Sequence, residues 1–184
     1  MQQIENAVLS CEPPAGTAFE HLFIEHYPRL VKVLLRLLGD PGRAEEIAAD
    51  AFCKLYQQAP RQGPEDNPAG WLYRTAMNLG FDALRAHSRR LRREERAGRE
   101  SLGRGAPSSP LNDLLAEEER TRVRAVIEQM KPVQGQVLLM GSSGFSCKEM
   151  AALLGVKPDS LYVLIARAKQ QFEQKYVSLY GRTK

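Results

Sequence analysis

Phe145-Ser146-Cys147-Lys148-Glu149-Met150-Ala151-Ala152-Leu153-Leu154-Gly155-Val156-Lys157-Pro158-Asp159-Ser160 has the grammar of two helices joined by a tight turn. Ser146 followed three residues later by Glu149 is a capping box that opens a short first helix. Gly155 can take the left-handed conformation that ends it, Val156 can bury itself between the helices, and Pro158 opens the second with its fixed φ. In a helix-turn-helix the second helix enters a major groove. Its outward residues Ser160, Tyr162, Val163 and Ala166 then face base edges, while Lys157, Arg167 and Lys169 reach phosphates. Leu161, Leu164, Ile165 and Ala168 supply a buried face without calling on any of these. The competing reading is an ordinary αα-hairpin whose second helix only packs on a core.

Outward from that stretch, the whole chain reads as helical. Among 184 residues, 23 Leu and 20 Ala outnumber 10 Val, 5 Ile and 4 Thr, a balance that favours helices over strands. Polar caps followed by proline recur at Asp40-Pro41, Asn67-Pro68 and Ser109-Pro110. Between them apolar residues return every three or four, as in Phe19, Leu22, Phe23, Tyr27, Leu30 and Leu34, then Ile47, Ala51 and Leu55. The stretch from Gly98 to Pro110 breaks every periodicity and reads as a flexible linker. The expected architecture is all-α, in two small helical domains. Three helices over about 17–38, 40–58 and 67–97 make the first, in residues 17–97. A linker spans 98–110. Four helices over about 110–130, 132–141, 146–154 and 158–179 make the second, in residues 111–180.

The third helix of the first domain carries two faces. Leu72, Ala76, Leu79, Ala83 and Ala86 form an apolar stripe. On the other side Arg74, Asn78, Arg85 and Arg89 align, with Trp71, Tyr73 and Phe81 beside them. Cations interleaved with aromatics suit single-stranded or partly opened DNA, because guanidinium groups hold phosphates and aromatic rings stack on unpaired bases. The plainer alternative keeps Trp71 and Phe81 in the core and leaves the arginines solvated.

Charge is segregated along the chain. Residues 1–84 hold 7 Lys/Arg against 11 Asp/Glu, residues 85–105 hold 8 against 3, residues 106–130 hold 3 against 5, and residues 131–184 hold 8 against 3. An acidic first part with basic middle and end suggests one surface for protein and others for a polyanion. Three cysteines, Cys11, Cys53 and Cys147, lie far apart with no CxxC pair, so no metal site is expected and each reads as a reduced, small apolar residue. His21, His26 and His87 have no neighbouring nucleophile or carboxylate cluster, so neither an enzyme nor a cofactor is expected. No apolar run approaches the roughly 18 residues of a membrane span, and no secretory signal is visible, so the expected compartment is the cytoplasm.

The middle and carboxyl-terminal segments, in this order and with a linker between them, resemble a bacterial RNA polymerase sigma factor of the extracytoplasmic-function (ECF) group over about residues 17–180. Trp71-Leu72-Tyr73-Arg74 with Asn78, Asp82 and Leu84-Arg85 looks like that family's promoter-melting helix, which reads the minus-ten element. Arg43 to Tyr56 is similar to the helix that binds the clamp helices of the polymerase β′ subunit. On that likeness Glu46, Ala49, Asp50, Phe52 and Leu55 would contact polymerase. The helix-turn-helix resembles the domain that reads the minus-thirty-five element and touches the β flap. Departures gather there. Gly135 stands where the family commonly has arginine, and Tyr162 and Leu164 stand at two usually basic positions, which implies a weaker phosphate grip.

The resemblance implies a dissociable initiation factor without catalysis of its own, working with core RNA polymerase and promoter DNA, off the membrane, and open to control by an anti-sigma factor. Two other classes remain at this point. A polymerase-independent helix-turn-helix regulator would bind duplex operators tightly by itself, and an antagonist module would have kept the fold but lost DNA reading.

Overall fold

The structure, a computed structural model, describes residues 16–62, 67–98 and 111–181. Seven helices follow one another there: α1 (Gly16–Leu38), α2 (Pro41–Gln62), α3 (Pro68–Gly98), α4 (Leu111–Glu128), α5 (Pro132–Ser142), α6 (Cys147–Leu154) and α7 (Pro158–Tyr180). No strand occurs among the described residues. The all-α expectation and the helix order hold. The cap at Ser109 and most of the expected linker lie outside the described residues.

The start signals act as their chemistry requires. Asp40 Oδ1 accepts from the Arg43 amide at 3.1 Å and Asn67 Oδ1 from the Gly70 amide at 2.7 Å, so α2 and α3 each begin on a capped proline. Ser146 and Glu149 form a complete capping box at α6: the Ser146 amide donates to Glu149, and the Glu149 amide to Ser146 Oγ. Gly155 ends α6 at φ 65°, with the Val156 amide bonded back to Ala151 at 3.0 Å. Alanine at Gly155 is expected to cost about 1–2 kcal/mol, the penalty of a left-handed backbone for a residue with a Cβ. Gly141 gives the opposite sign, because it lies in α5 with open space around a built Cβ, and alanine there gains up to about 1 kcal/mol. Urea unfolding of the two variants measures both.

Helices α1, α2 and α3 pack as a bundle around Leu30, Val33, Leu34, Ile47, Ala48, Phe52, Leu72 and Ala76, all buried. A second group, α4 to α7, closes around Val126, Met130, Val137, Met140, Met150, Leu153, Leu161 and Ala168. The two groups do not stand apart. Helix α3 packs on α6 and α5, and α1 on α5 and α4, so one apolar core runs through both.

Close approaches of backbone mark the seam. A Cβ on Gly135 in α5 would lie 2.8 Å from Phe81 Cζ in α3, and one on Gly70 in α3 would lie 2.5 Å from the Leu153 carbonyl oxygen in α6. One on Gly39, at the end of α1, would collide with the Arg124 guanidinium of α4.

Candidate nucleic-acid interface

Helix α3 sorts its residues in a way that periodicity only half reveals. Leu72, Tyr73, Ala76, Met77, Gly80, Phe81 and Leu84 are buried, a band too wide for one neighbouring helix. The α1–α2 side takes one edge of it, and α5 and α6 take the other. Arg74, Asn78, Asp82 and Arg89 stay exposed on the remaining face, with Arg85 half-buried beside them. Arg74, Asn78 and Asp82 fall four apart, on one ridge of the helix. Arg85 is paired with Asp82 at 3.0 Å and Arg90 with Glu94 at 2.8 Å, while Arg74, Asn78 and Arg89 have no side-chain partner among the described residues.

Two of the aromatics assigned to the DNA face sit elsewhere. Tyr73 is fully buried and Phe81 is 1% exposed, so in this conformation both are core residues, and Trp71 is half-buried. The reason is tertiary. Phe145, in the turn before α6, packs edge-on to Tyr73 at 5.5 Å between centroids, and the missing side chain of Gly135 admits the Phe81 ring. Ala86, placed on the apolar stripe, is exposed, as is Cys53.

The wall over Tyr73 is polar as well as aromatic. Arg29 of α1 lies 4.0 Å over the Phe145 ring and donates to Glu149 Oε1 at 2.6 Å. The Glu149 carboxyl is held down to about 2, first by the Ser146 amide, then by the Ser146 hydroxyl and Arg29. His26 is buried edge-on to Tyr73 at 5.7 Å, and burial lowers its pKa below the usual imidazole range. Burial pushes the Tyr73 phenol well above its ordinary value. Among the described residues neither His26 Nδ1 nor the Tyr73 hydroxyl has a hydrogen-bond partner.

On α7 the expected division holds. Leu161 and Ala168 are buried, Leu164 and Ile165 half-buried, and Ser160, Tyr162, Val163, Ala166, Arg167 and Lys169 exposed, with Lys157 exposed at the helix start. Tyr162 at 58% and Val163 at 49% exposure are large apolar groups that the fold leaves in water, which suits contact with a groove floor.

Helix α2 presents Glu46, Ala49 and Asp50 to solvent, with Glu46 bonded to Arg43 at 2.7 Å. Phe52 and Leu55, assigned to polymerase contact, are buried instead. Phe52 meets Phe19, Phe23 and Tyr27 of α1 at ring centroid separations of 5.0–6.0 Å. What α1 and α2 do expose nearby is Phe23, Ile24 and Tyr56, at 41%, 72% and 51%. Sequence reasoning put Phe23 on the buried stripe and passed over Ile24 and Tyr56. The signal available was Ile24, a β-branched residue one step off an otherwise regular apolar period.

The family described as Sigma-70 region 2 matches residues 22–90, which span α1 to α3 up to Arg90. The chain is 27% identical over 161 residues to RNA polymerase sigma factor CarQ of Myxococcus xanthus, covering 87% of this chain and 90% of that protein. The chain resembles the ECF sigma factors along most of its length. It is also 27% identical over 160 residues to ECF RNA polymerase sigma factor SigE of Mycolicibacterium smegmatis, covering 85% of this chain and 61% of SigE. A solved structure of the sigma factor RpoE in complex with the anti-sigma factor NepR from Bartonella quintana aligns with a TM-score of 0.46 and 18% identity. The alignment covers 86% of this chain and 96% of that one. Among the described residues, no helix is long and apolar enough to cross a membrane, and no group of three metal-ligating side chains forms.

Proposed function

We propose that this chain binds core RNA polymerase and directs it to promoters, where it reads two elements and captures the opened strand. The observation that carries the reading is the exposed Arg74–Asn78 ridge of α3 inside the region matched to Sigma-70 region 2, followed on the same chain by a helix-turn-helix with an exposed reading face. Residues 17–97 act as the minus-ten body and residues 111–180 as the minus-thirty-five body. Arg74, Asn78, Arg85 and Arg89 hold phosphates and bases of the separated strand. Trp71, Tyr73 and Phe81 are the stacking candidates. Lys157, Arg167 and Lys169 grip the upstream backbone, with Ser160, Tyr162, Val163 and Ala166 against the bases.

Polymerase docks on the exposed part of the α1–α2 surface. Glu46, Ala49 and Asp50 supply its polar contact, and Phe23, Ile24 and Tyr56 its apolar contact. The β′ clamp helices take this surface and the β flap takes the second body. The chain performs no catalysis and works in the cytoplasm, where the polymerase and its template are, with an anti-sigma factor as a possible partner. Polymerase is required for energetic reasons: unstacking a base step costs a few kcal/mol, which is met only when polymerase contacts and captured bases act together.

Run-off transcription from genomic promoter fragments with bacterial core polymerase tests this. Transcripts are expected only when the protein is added. Tight binding of the protein alone to duplex operator DNA, with no effect on where polymerase starts, would instead establish a polymerase-independent regulator.

A further inference from the structure

We propose that the free chain holds itself shut: α5, α6 and the turn carrying Phe145 close over the aromatic edge of α3, and this seam must open before the two bodies can grip a promoter. The inference rests on the initiation-factor reading and adds a regulatory state to it.

Four observations carry it. The first is occlusion, because Tyr73 and Phe81, the aromatics that stand beside Arg74 and Asn78 in sequence, are covered by Phe145 and by the α5 backbone at Gly135. The second is fit. Backbone or side chains from the opposite half come so close at Gly39, Gly70 and Gly135 that a methyl group at any of the three would have to displace something. The backbone carbonyl at Gly70 and the aromatic ring at Gly135 are rigid neighbours that mark a shaped interface and not a loose collapse, while at Gly39 the neighbour is the flexible end of Arg124.

The third is the chemistry of the seam. Its polar contacts are the Arg29–Glu149 pair at 2.6 Å, the Asn67 Nδ2 bond to the Ala152 carbonyl at 2.7 Å and the Ser88 hydroxyl bond to Glu128 at 2.7 Å. All three involve half-exposed or exposed groups that water can satisfy on opening. The buried Tyr73 hydroxyl and His26 Nδ1 find no partner among the described residues, so closure leaves polar atoms at a disadvantage that opening relieves. The polar contacts therefore add little to a seam that is held chiefly by its apolar fit, and opening must overcome that fit.

The fourth is reach. The minus-ten and minus-thirty-five elements lie about 25 base pairs apart by their names, or about 85 Å at about 3.4 Å per pair. The longest helix of the closed body, α3 with 31 residues, spans about 46 Å at 1.5 Å per residue, little more than half that distance. With Asn67 at the head of α3 bonded to Ala152 in α6, the closed chain can occupy one element and not both. Binding is then reduced by the fraction of molecules that are open.

Two lesions on different chemistry test the seam. Arg29→Glu puts like charges where the 2.6 Å pair was and removes the cation from the Phe145 ring. Gly135→Ala pushes Phe81 away while adding a better helix former to α5. Small-angle X-ray scattering of the purified chains reads shape, and fluorescence anisotropy with labelled protein reads affinity for core polymerase. Circular dichroism checks that each variant keeps its helix content. Wild type is expected to scatter as one joined body, with both variants larger in radius of gyration by several ångströms and, because the clamp helices and the β flap each take one body, binding polymerase about tenfold more tightly. Wild type as large as the two variants overturns the closed state, and two variants as small as a compact wild type overturn the seam assigned to Arg29 and Gly135. Opening without a gain in polymerase affinity overturns its inhibitory role. Scattering needs no polymerase, so its two results stand apart from the function assigned above: if neither wild type nor variant binds polymerase at all, that function fails and the inhibition with it.

Discussion

Alanine at both Arg74 and Asn78 is expected to cut promoter-dependent run-off synthesis by about 100-fold while leaving thermal unfolding essentially unchanged. A side chain that contacts a base or phosphate contributes about 1–3 kcal/mol, so two on one ridge contribute enough for a loss of that order. Both residues are exposed on α3, and neither bonds another side chain among the described residues, so the fold loses nothing when they are shortened. Alanine is also the better helix former at each position. Arg90 is the internal control. It lies further along the same helix but is bonded to Glu94 at 2.8 Å, and its replacement by alanine should change transcription far less. Transcription by the double variant at the wild-type level would remove this face from DNA contact.

Phe81→Ala is expected to lower the unfolding free energy by about 3–5 kcal/mol, the range for a fully buried aromatic cut back to a methyl group. Phe81 is 1% exposed, sits on the seam and meets the α5 backbone at Gly135, so the cavity would open between the two helical groups. For a chain of this size the melting temperature should fall by about 10 °C or more. The measurement discriminates sharply. An aromatic on a solvent-facing DNA surface would change stability by no more than about 0.5 kcal/mol on truncation. A small effect would mean that Phe81 is exposed in solution and that the closed arrangement does not form. A large one leaves Phe81 available to DNA only through the opening proposed above.

The seven helices, their caps and their order were legible because each rests on local chemistry. Asp40, Asn67 and Ser146 each satisfy backbone amides within three residues, and Gly155 answers a steric demand of its own backbone. The exposed face of α7 was legible for a related reason: Leu161, Leu164, Ile165 and Ala168 account for one side of the helix, and what remains faces water. The side chains of α3 were only partly legible. A helix shows which residues share a face but not how many neighbours that face will meet. Tyr73 and Phe81 could have been surface aromatics beside cations or a second buried stripe. Phe52 and Leu55 were misplaced for the same reason, since only the packing of α1 shows that Phe19, Phe23 and Tyr27 cover Phe52 while Phe23 and Tyr56 remain outside.

What the amino-acid order determined unaided was the set of helices, their ends and the family resemblance, because propensity, capping and motif spacing act over a few residues. Which aromatics touch water, and whether the two halves stand apart or join, was decided only in three dimensions. Those outcomes depend on Phe145 reaching Tyr73 across 72 positions and on Arg29 reaching Glu149 across 120, contacts that no local period encodes.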